Sequence, residues 1–264
     1  MTNACAQQAL ECFLLTNKVA VVTGAASGLG RSIASLFAAA GAKIAILDIN
    51  EKGAADVAAN IRAGGGAACA VRCDLASEEE IIHALDEVEM TLGNIDILVN
   101  CAAYRKKKEF MDLSESEWDQ MFAITLRGAF YAMRSAIRRM ISKAVKGSIV
   151  NISSIGGQRP TIFANAHYEA AKAGLDALTR AAAVEFASHR IRVNGVAPGA
   201  IRTDGLTAIE NSVGLRGPAA IPGRKLFGVA EPLEIARAVL FVASPSASHM
   251  TGQIISVDGG FLVG

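Results

Sequence analysis

The 264-residue chain carries 26 basic and 25 acidic side chains, a net charge of +1, with 52% hydrophobic and 19% charged residues. That balance excludes a disordered chain and leaves no electrostatic footprint for nucleic acid or an anionic membrane. No run reaches the ~20 apolar residues of a membrane helix, and Cys5, Cys12, Cys69, Cys73 and Cys101 show no metal-type spacing, which predicts a reduced cytoplasmic protein without a metal.

Residues 1–17 read as an appended, partly helical arm that contains Glu11 and lacks the basic start of a signal peptide. The domain proper spans 18–264 and opens on Lys18–Thr23, a β-branched run suited to a buried parallel strand. Gly24-Ala25-Ala26-Ser27-Gly28-Leu29-Gly30 follows, then an apolar helical pattern over about 29–40. Strand, glycine turn and helix in this order let backbone N–H groups approach a pyrophosphate at a helix N-terminus. The next strand, 43–47, ends in Asp48, where a carboxylate can accept hydrogen bonds from an adenosine ribose. A 2′-phosphate would be repelled there, because two charges about 4 Å apart at an effective dielectric near 20 interact by roughly 4 kcal/mol. Its neighbours Ser27 and Ile49 are uncharged, so the pattern predicts NAD in preference to NADP.

The alternation continues with a helix over 51–63 closed by Gly64-Gly65-Gly66 and a strand over 67–72 leading to Cys73-Asp74-Leu75. A helix over 77–91 follows, with Ser77 and Glu80 as a capping box. The strand 95–99 runs into Asn100-Cys101-Ala102-Ala103, and one long helix with Trp118 is predicted over 115–142. Strand 148–152 delivers Ser153 and Ser154; the helix bearing Tyr168 and Lys172 runs to about Ser188. Strand 192–196 leads into Pro198-Gly199, before a last helix (232–243) and strand (253–257). Such alternation predicts an α/β fold: one doubly wound sheet of about seven parallel strands with helices on both faces. Ligands of such sheets bind beyond the strands' carboxyl ends, where Asp48, Asp74, Asn100, Ser154 and Pro198 all fall.

Tyr168 and Lys172 stand four residues apart, on one helix face. An ammonium beside a phenol favours the phenolate and draws its pKa towards working pH. Alone, the pair is also what many solvated helices carry. Its place on the shared strand-end edge is what gives it weight.

Taken together, residues 18–262 resemble the short-chain dehydrogenase/reductase family. Thr23-Gly24-x-x-x-Gly28-x-Gly30 is similar to its cofactor loop, which would put Ser27 and Leu29 on the dinucleotide as well. Asp48 with Ile49 resembles its NAD-selecting acid, Asp74 with Leu75 its adenine contact, and Asn100 with Ala102 its next strand end. Ser154, fourteen residues before Tyr168, and the Tyr168-x-x-x-Lys172 pair match its catalytic group. Asn194-x-Val196-x-Pro198-Gly199-x-Ile201-x-Thr203 is similar to the segment that holds the nicotinamide amide. The resemblance implies a Rossmann-type domain that binds NAD(H) and interconverts a secondary alcohol and a ketone by hydride transfer. In it Tyr168 is the general acid/base, Lys172 lowers the Tyr168 pKa and holds the nicotinamide ribose, and Ser154, with Ser153 as rival, holds the substrate oxygen. It also implies a homotetramer built on the long helices and on residues 252–264, a small-molecule substrate, and no nucleic-acid or membrane partner.

Two departures stand out. Asn100-Cys101-Ala102-Ala103 replaces the family's Asn-Asn-Ala-Gly and adds a methyl group at Ala103. Thr125 stands where the family places an asparagine that anchors a relay water, so an active enzyme with a perturbed relay is expected. Residues 204–228 read as a substrate lid with a short helix near 205–213, lined by Leu206, Ile209, Val213, Leu215 and Leu226. Tyr104, Phe163 and the run Arg105–Lys108 would form the facing wall, with the basic run read as a solvated face rather than an anion site. Two rivals remain: an NADPH-dependent 3-oxoacyl-thioester reductase, which Asp48 disfavours, and a non-catalytic dinucleotide-binding sensor or assembly subunit, which Thr125 alone supports.

Overall fold

The computed structural model describes residues 10–203 and 216–264. Seven parallel strands form one sheet: β1 (Val19–Thr23), β2 (Lys43–Asp48), β3 (Ala68–Arg72), β4 (Ile95–Asn100), β5 (Ser148–Ile152), β6 (Arg192–Pro198) and β7 (Ile254–Val257). Their order is β3-β2-β1-β4-β5-β6-β7, so the winding reverses between β1 and β4. Val22 pairs with Ile46 on one side and Val99 on the other, which aligns the carboxyl ends of the central strands.

Both faces of the sheet are covered, and for that reason the strands are apolar runs rather than alternating ones. Successive residues still part company: Ala20 and Val22 join one core, Val19 and Val21 the other. The first core receives Ile33 and Phe37 of α1 (Gly28–Ala39), Val57 of α2 (Glu51–Ala63) and Val239 of α7 (Pro232–Ala243). The second receives Ile81 and Leu85 of α3 (Glu78–Leu92), Met133 and Ile137 of α5 (Ala129–Ser142) and Ala183 of α6 (Ala166–Glu185).

The structure departs from the sequence reading in several places. The predicted single helix over 115–142 is α4 (Glu115–Phe122) joined to α5 through a π-helical stretch, Ala123–Gly128. Ser77 caps α3 by accepting the Glu80 N–H at 3.2 Å, but the box is half made. The Glu80 carboxylate turns instead to the Asp74 N–H and to Arg72, at 2.9 and 2.8 Å. Complete capping boxes are found on α4, between Ser114 and Glu117, and on α7, between Glu231 and Glu234. The Tyr168 helix ends at Glu185, short of Ser188, and a 3₁₀ turn follows. Lys18 is not the edge of the domain: Leu15 is 1% exposed in the first core, and its N–H reaches the Ala40 carbonyl at 2.8 Å. An apolar side chain three residues outside a strand is invisible to strand periodicity. The short helix expected near 205–213 lies outside the described residues. Among the described residues, no helix is long and apolar enough to cross a membrane, and no group of three His, Cys, Asp or Glu could hold a metal.

Candidate active site

A cavity of about 470 Å³ opens over the carboxyl ends of the central strands. The turn between β1 and α1 forms its floor, through Gly24, Ser27, Gly28, Leu29 and Gly30. Gly24 (φ +66°) lies so close to the end of β4 that a Cβ there would come 2.6 Å from the Ala102 Cα. Only a residue without a side chain fits, and the backbone is left open to a ligand. Thr23, 1% exposed, clamps these two strand ends, its hydroxyl accepting the Cys101 and Ala102 N–H groups at 3.0 and 3.2 Å.

One end of the cavity is acidic. Asp48, Ile49, Asp74 and Leu75 line it. The Asp48 carboxylate accepts the N–H groups of Ala26 (3.0 Å) and Asn50 (2.9 Å), which fixes both oxygens while leaving each a lone pair for a ribose hydroxyl. The two cations on the cavity wall, Arg105 and Lys172, stand with Tyr168 at its other end.

At that other end, Lys172 is 1% exposed and donates to the Ile152 carbonyl at 2.5 Å, with its Nζ 5.6 Å from the Tyr168 ring centroid. Burial draws its pKa down, partly offset by the facing Tyr168. Burial alone would raise the Tyr168 phenol; the Arg105 and Lys172 charges and hydrogen bonds from Arg105 and Ser154 outweigh it, and the phenol is drawn below its ordinary 10.0. Ser154 begins a 3₁₀ turn and accepts the Gly156 N–H at 3.1 Å. Ser153 also borders the cavity, but it is 2% exposed and stands beside Asp176, a carboxyl that burial raises. Pro198, Gly199, Ile201 and Thr203 complete the wall, tied down by the Arg202 N–H on the Ala230 carbonyl at 2.8 Å.

Two of the predicted site residues do not reach the cavity. Asn100 is buried and donates to the Asn151 side chain at 2.8 Å, part of a core network that continues to Thr179. Thr125, 1% exposed in the π-helical stretch, accepts the Tyr104 N–H at 3.1 Å and donates to the Met121 sulfur at 3.4 Å. A hydroxyl has one proton to give, and this one is spent within the protein. The geometry gives Thr125 the task of holding a loop, where the sequence suggested a water. Of the expected outer walls, Tyr104 lines the cavity, whereas Phe163 does not and Leu226 packs instead near Gly260. Leu206, Ile209, Val213 and Leu215 lie outside the described residues.

Arg105 is the residue that sequence reasoning undervalued. Its guanidinium donates to the Tyr168 hydroxyl at 2.8 Å and lies 4.6 Å over the ring. The rest of the run divides differently: Lys106 and Lys108 pair with Glu117 at 3.2 and 3.7 Å. The two thiols on the cavity wall offer no nucleophile, since burial first of all pushes Cys73 and Cys101 up to about 12.

The donor set fits a nicotinamide dinucleotide: a glycine floor pressed against the next strand, a ribose-ready carboxylate at one end, and a buried ammonium beside a phenol at the other. Comparisons agree. A family model described as Enoyl-(Acyl carrier protein) reductase matches residues 24–262. A 2,5-dichloro-2,5-cyclohexadiene-1,4-diol dehydrogenase of Sphingobium indicum is 37% identical, covering 95% of this chain and 98% of its own. A cis-4-hydroxycyclohexanecarboxylate dehydrogenase of Sinomonas cyclohexanicum is 40% identical, covering 92% and 96%. Among solved structures, a short-chain type dehydrogenase/reductase from Mycobacterium marinum superposes with a TM-score of 0.90 at 32% identity, covering 97% and 99%.

Proposed function

The chain belongs to the short-chain dehydrogenase/reductase family of nicotinamide-dependent oxidoreductases, and we propose that it is an NAD-dependent dehydrogenase interconverting a secondary alcohol and a ketone. One observation carries this reading: in the cavity the Tyr168 hydroxyl accepts from Arg105, with Lys172 beside its ring and Ser154 as a further hydrogen-bond partner. A nicotinamide dinucleotide bound here supplies the hydride acceptor for the alcohol carbon, or the hydride donor for the ketone carbon. Tyr168 does the proton work. As phenolate it takes the alcohol's proton while the C–H electron pair leaves as hydride; as phenol it returns that proton to the ketone oxygen. Ser154 donates to the substrate oxygen and holds it against Tyr168. Lys172 keeps the phenolate accessible and binds the nicotinamide ribose, while Asp48 accepts from the adenosine ribose. The N–H groups of the Gly24–Gly30 loop face the pyrophosphate. We read Gly199, Ile201 and Thr203 as the nicotinamide-amide segment, as their place on the wall supports.

The NAD preference rests on Asp48 and on the uncharged Ser27 and Ile49 beside it on the wall. The rival is NADPH-dependent reduction of a 3-oxoacyl thioester, the chemistry named for a 3-oxoacyl-(acyl-carrier-protein) reductase of Chlamydia muridarum that is 38% identical over 94% of this chain. Following NAD⁺ and NADP⁺ reduction over a panel of secondary alcohols, and NADH and NADPH oxidation with ketones and acyl thioesters, separates the two. Turnover with NAD⁺ on alcohols is the expected result. Activity confined to NADPH and thioesters contradicts it, and tight NAD binding without turnover would favour a sensor. The chain is further read as assembling into a homotetramer, which the exposed Trp118 of α4 and Phe130 of α5 support.

A further inference from the structure

The loop that carries Arg105 is pinned on every side. Thr23 holds its start, Thr125 accepts the Tyr104 N–H, Glu117 pairs with Lys106 and Lys108, and Glu109 pairs with Arg216. The Lys108 N–H completes the anchoring on the Ala164 carbonyl at 2.9 Å. With the backbone fixed, Arg105 turns inward where Lys106 and Lys108 turn to Glu117.

A guanidinium has five N–H donors in a planar fork whose natural partner is a carboxylate. Among the described residues Arg105 meets only a phenol oxygen and its ring and makes no ion pair. The acids near the loop are already committed: Glu117 to two lysines and Glu109 to Arg216. Asp48 and Asp74 lie at the far end of the cavity. Among the described residues the catalytic end is therefore cationic and under-neutralised, and Arg105 stands 2.8 Å from the hydroxyl that must face the reacting oxygen. A neutral alcohol would have to displace the guanidinium from Tyr168 and offer it nothing. A carboxylate a few bonds from the carbinol carbon would keep the guanidinium close and use its fork.

We propose that Arg105 is a specificity-determining residue that binds a carboxylate on the substrate, so that the substrates are small hydroxy acids and the corresponding oxo acids. This rests on the dehydrogenase reading and names its substrate class. Loss of a bidentate, charge-assisted pair lowers kcat/KM by about 10- to 100-fold.

The test compares short 2- and 3-hydroxy acids with their carboxamides, using NAD⁺, in the wild type, Arg105→Ala and Arg105→Lys. The wild type is expected to prefer an acid over its amide by about 10- to 100-fold in kcat/KM. In Arg105→Ala that ratio should collapse towards one, and Arg105→Lys should restore part of it. NADH binding by fluorescence shows that each variant is folded. Equal use of acid and amide by the wild type overturns the inference and leaves the dehydrogenase standing. So does an unchanged ratio in Arg105→Ala, because a merely structural or pKa-setting arginine would slow both substrates alike. Turnover of neither acids nor neutral alcohols, with no ketone reduced, brings down the dehydrogenase reading and this inference together.

Discussion

At the scale of single residues, Tyr168 is governed by opposed forces: burial that disfavours its phenolate, and two cations that favour it. The positive charges win, so its pKa lies below 10.0. Oxidation needs the phenolate, and kcat/KM for oxidation should therefore rise with pH and level off above that lowered pKa. Removing the Arg105 charge destabilises the phenolate. In Arg105→Ala the rising limb should move to higher pH, read from the pH profile on a neutral alcohol. A limb that stays in place would show that Arg105 does not act on the phenol in solution. Asp48→Asn keeps the shape and removes the charge, and the NAD-over-NADP ratio in kcat/KM should fall at least tenfold against a repulsion of roughly 4 kcal/mol. An unchanged ratio would place cofactor selection elsewhere. The Tyr168–Lys172 pair was legible because the spacing is local and a helix enforces it. Arg105 was not, because a four-residue basic run gives no sign of which member points inward; partners distant in sequence, Glu117 and Thr125, decide that.

At the scale of elements, strand and helix positions were legible from apolar runs bounded by glycines, prolines and caps. The break in the long helix was not. Ala123–Gly128 is π-helical, and from it Thr125 links Met121 of α4 to the Tyr104 N–H in a hydrogen-bond chain between sulfur, hydroxyl and loop. Such stretches are frequent at functional sites, but composition does not announce them, since the same residues serve an ordinary helix. Thr125→Val removes the acceptor for Tyr104 while nearly keeping the volume. It should raise KM for the alcohol more than it changes NADH affinity, because the released loop carries Arg105. Equal effects on both would point to general loosening. Likewise Ser114, the N-cap of α4, accepts the Glu117 N–H at 3.3 Å. Replacing an N-cap serine by alanine costs about 1 kcal/mol, and Ser114→Ala should lower the melting temperature by a few degrees.

At the scale of the whole molecule, the doubly wound parallel sheet was legible because βα alternation leaves few alternatives. The extent of the domain was less so. Leu15 belongs to the core, and Phe13 approaches Phe241 with ring centroids 6.4 Å apart. Leu15→Ala empties a buried site, for which a cost of about 2–5 kcal/mol is expected in chemical denaturation. A change close to zero would mean that residues 10–17 are only laid against the surface.

The central claim is that Tyr168 moves the substrate's proton in an NAD-linked oxidation. Its most direct test is the rate of NADH formation from a secondary alcohol by the wild type and by Tyr168→Phe, with NADH binding measured on both. The account predicts unchanged binding and a rate lower by about 10²- to 10⁴-fold. A Tyr168→Phe variant that binds NADH and turns over like the wild type would contradict it.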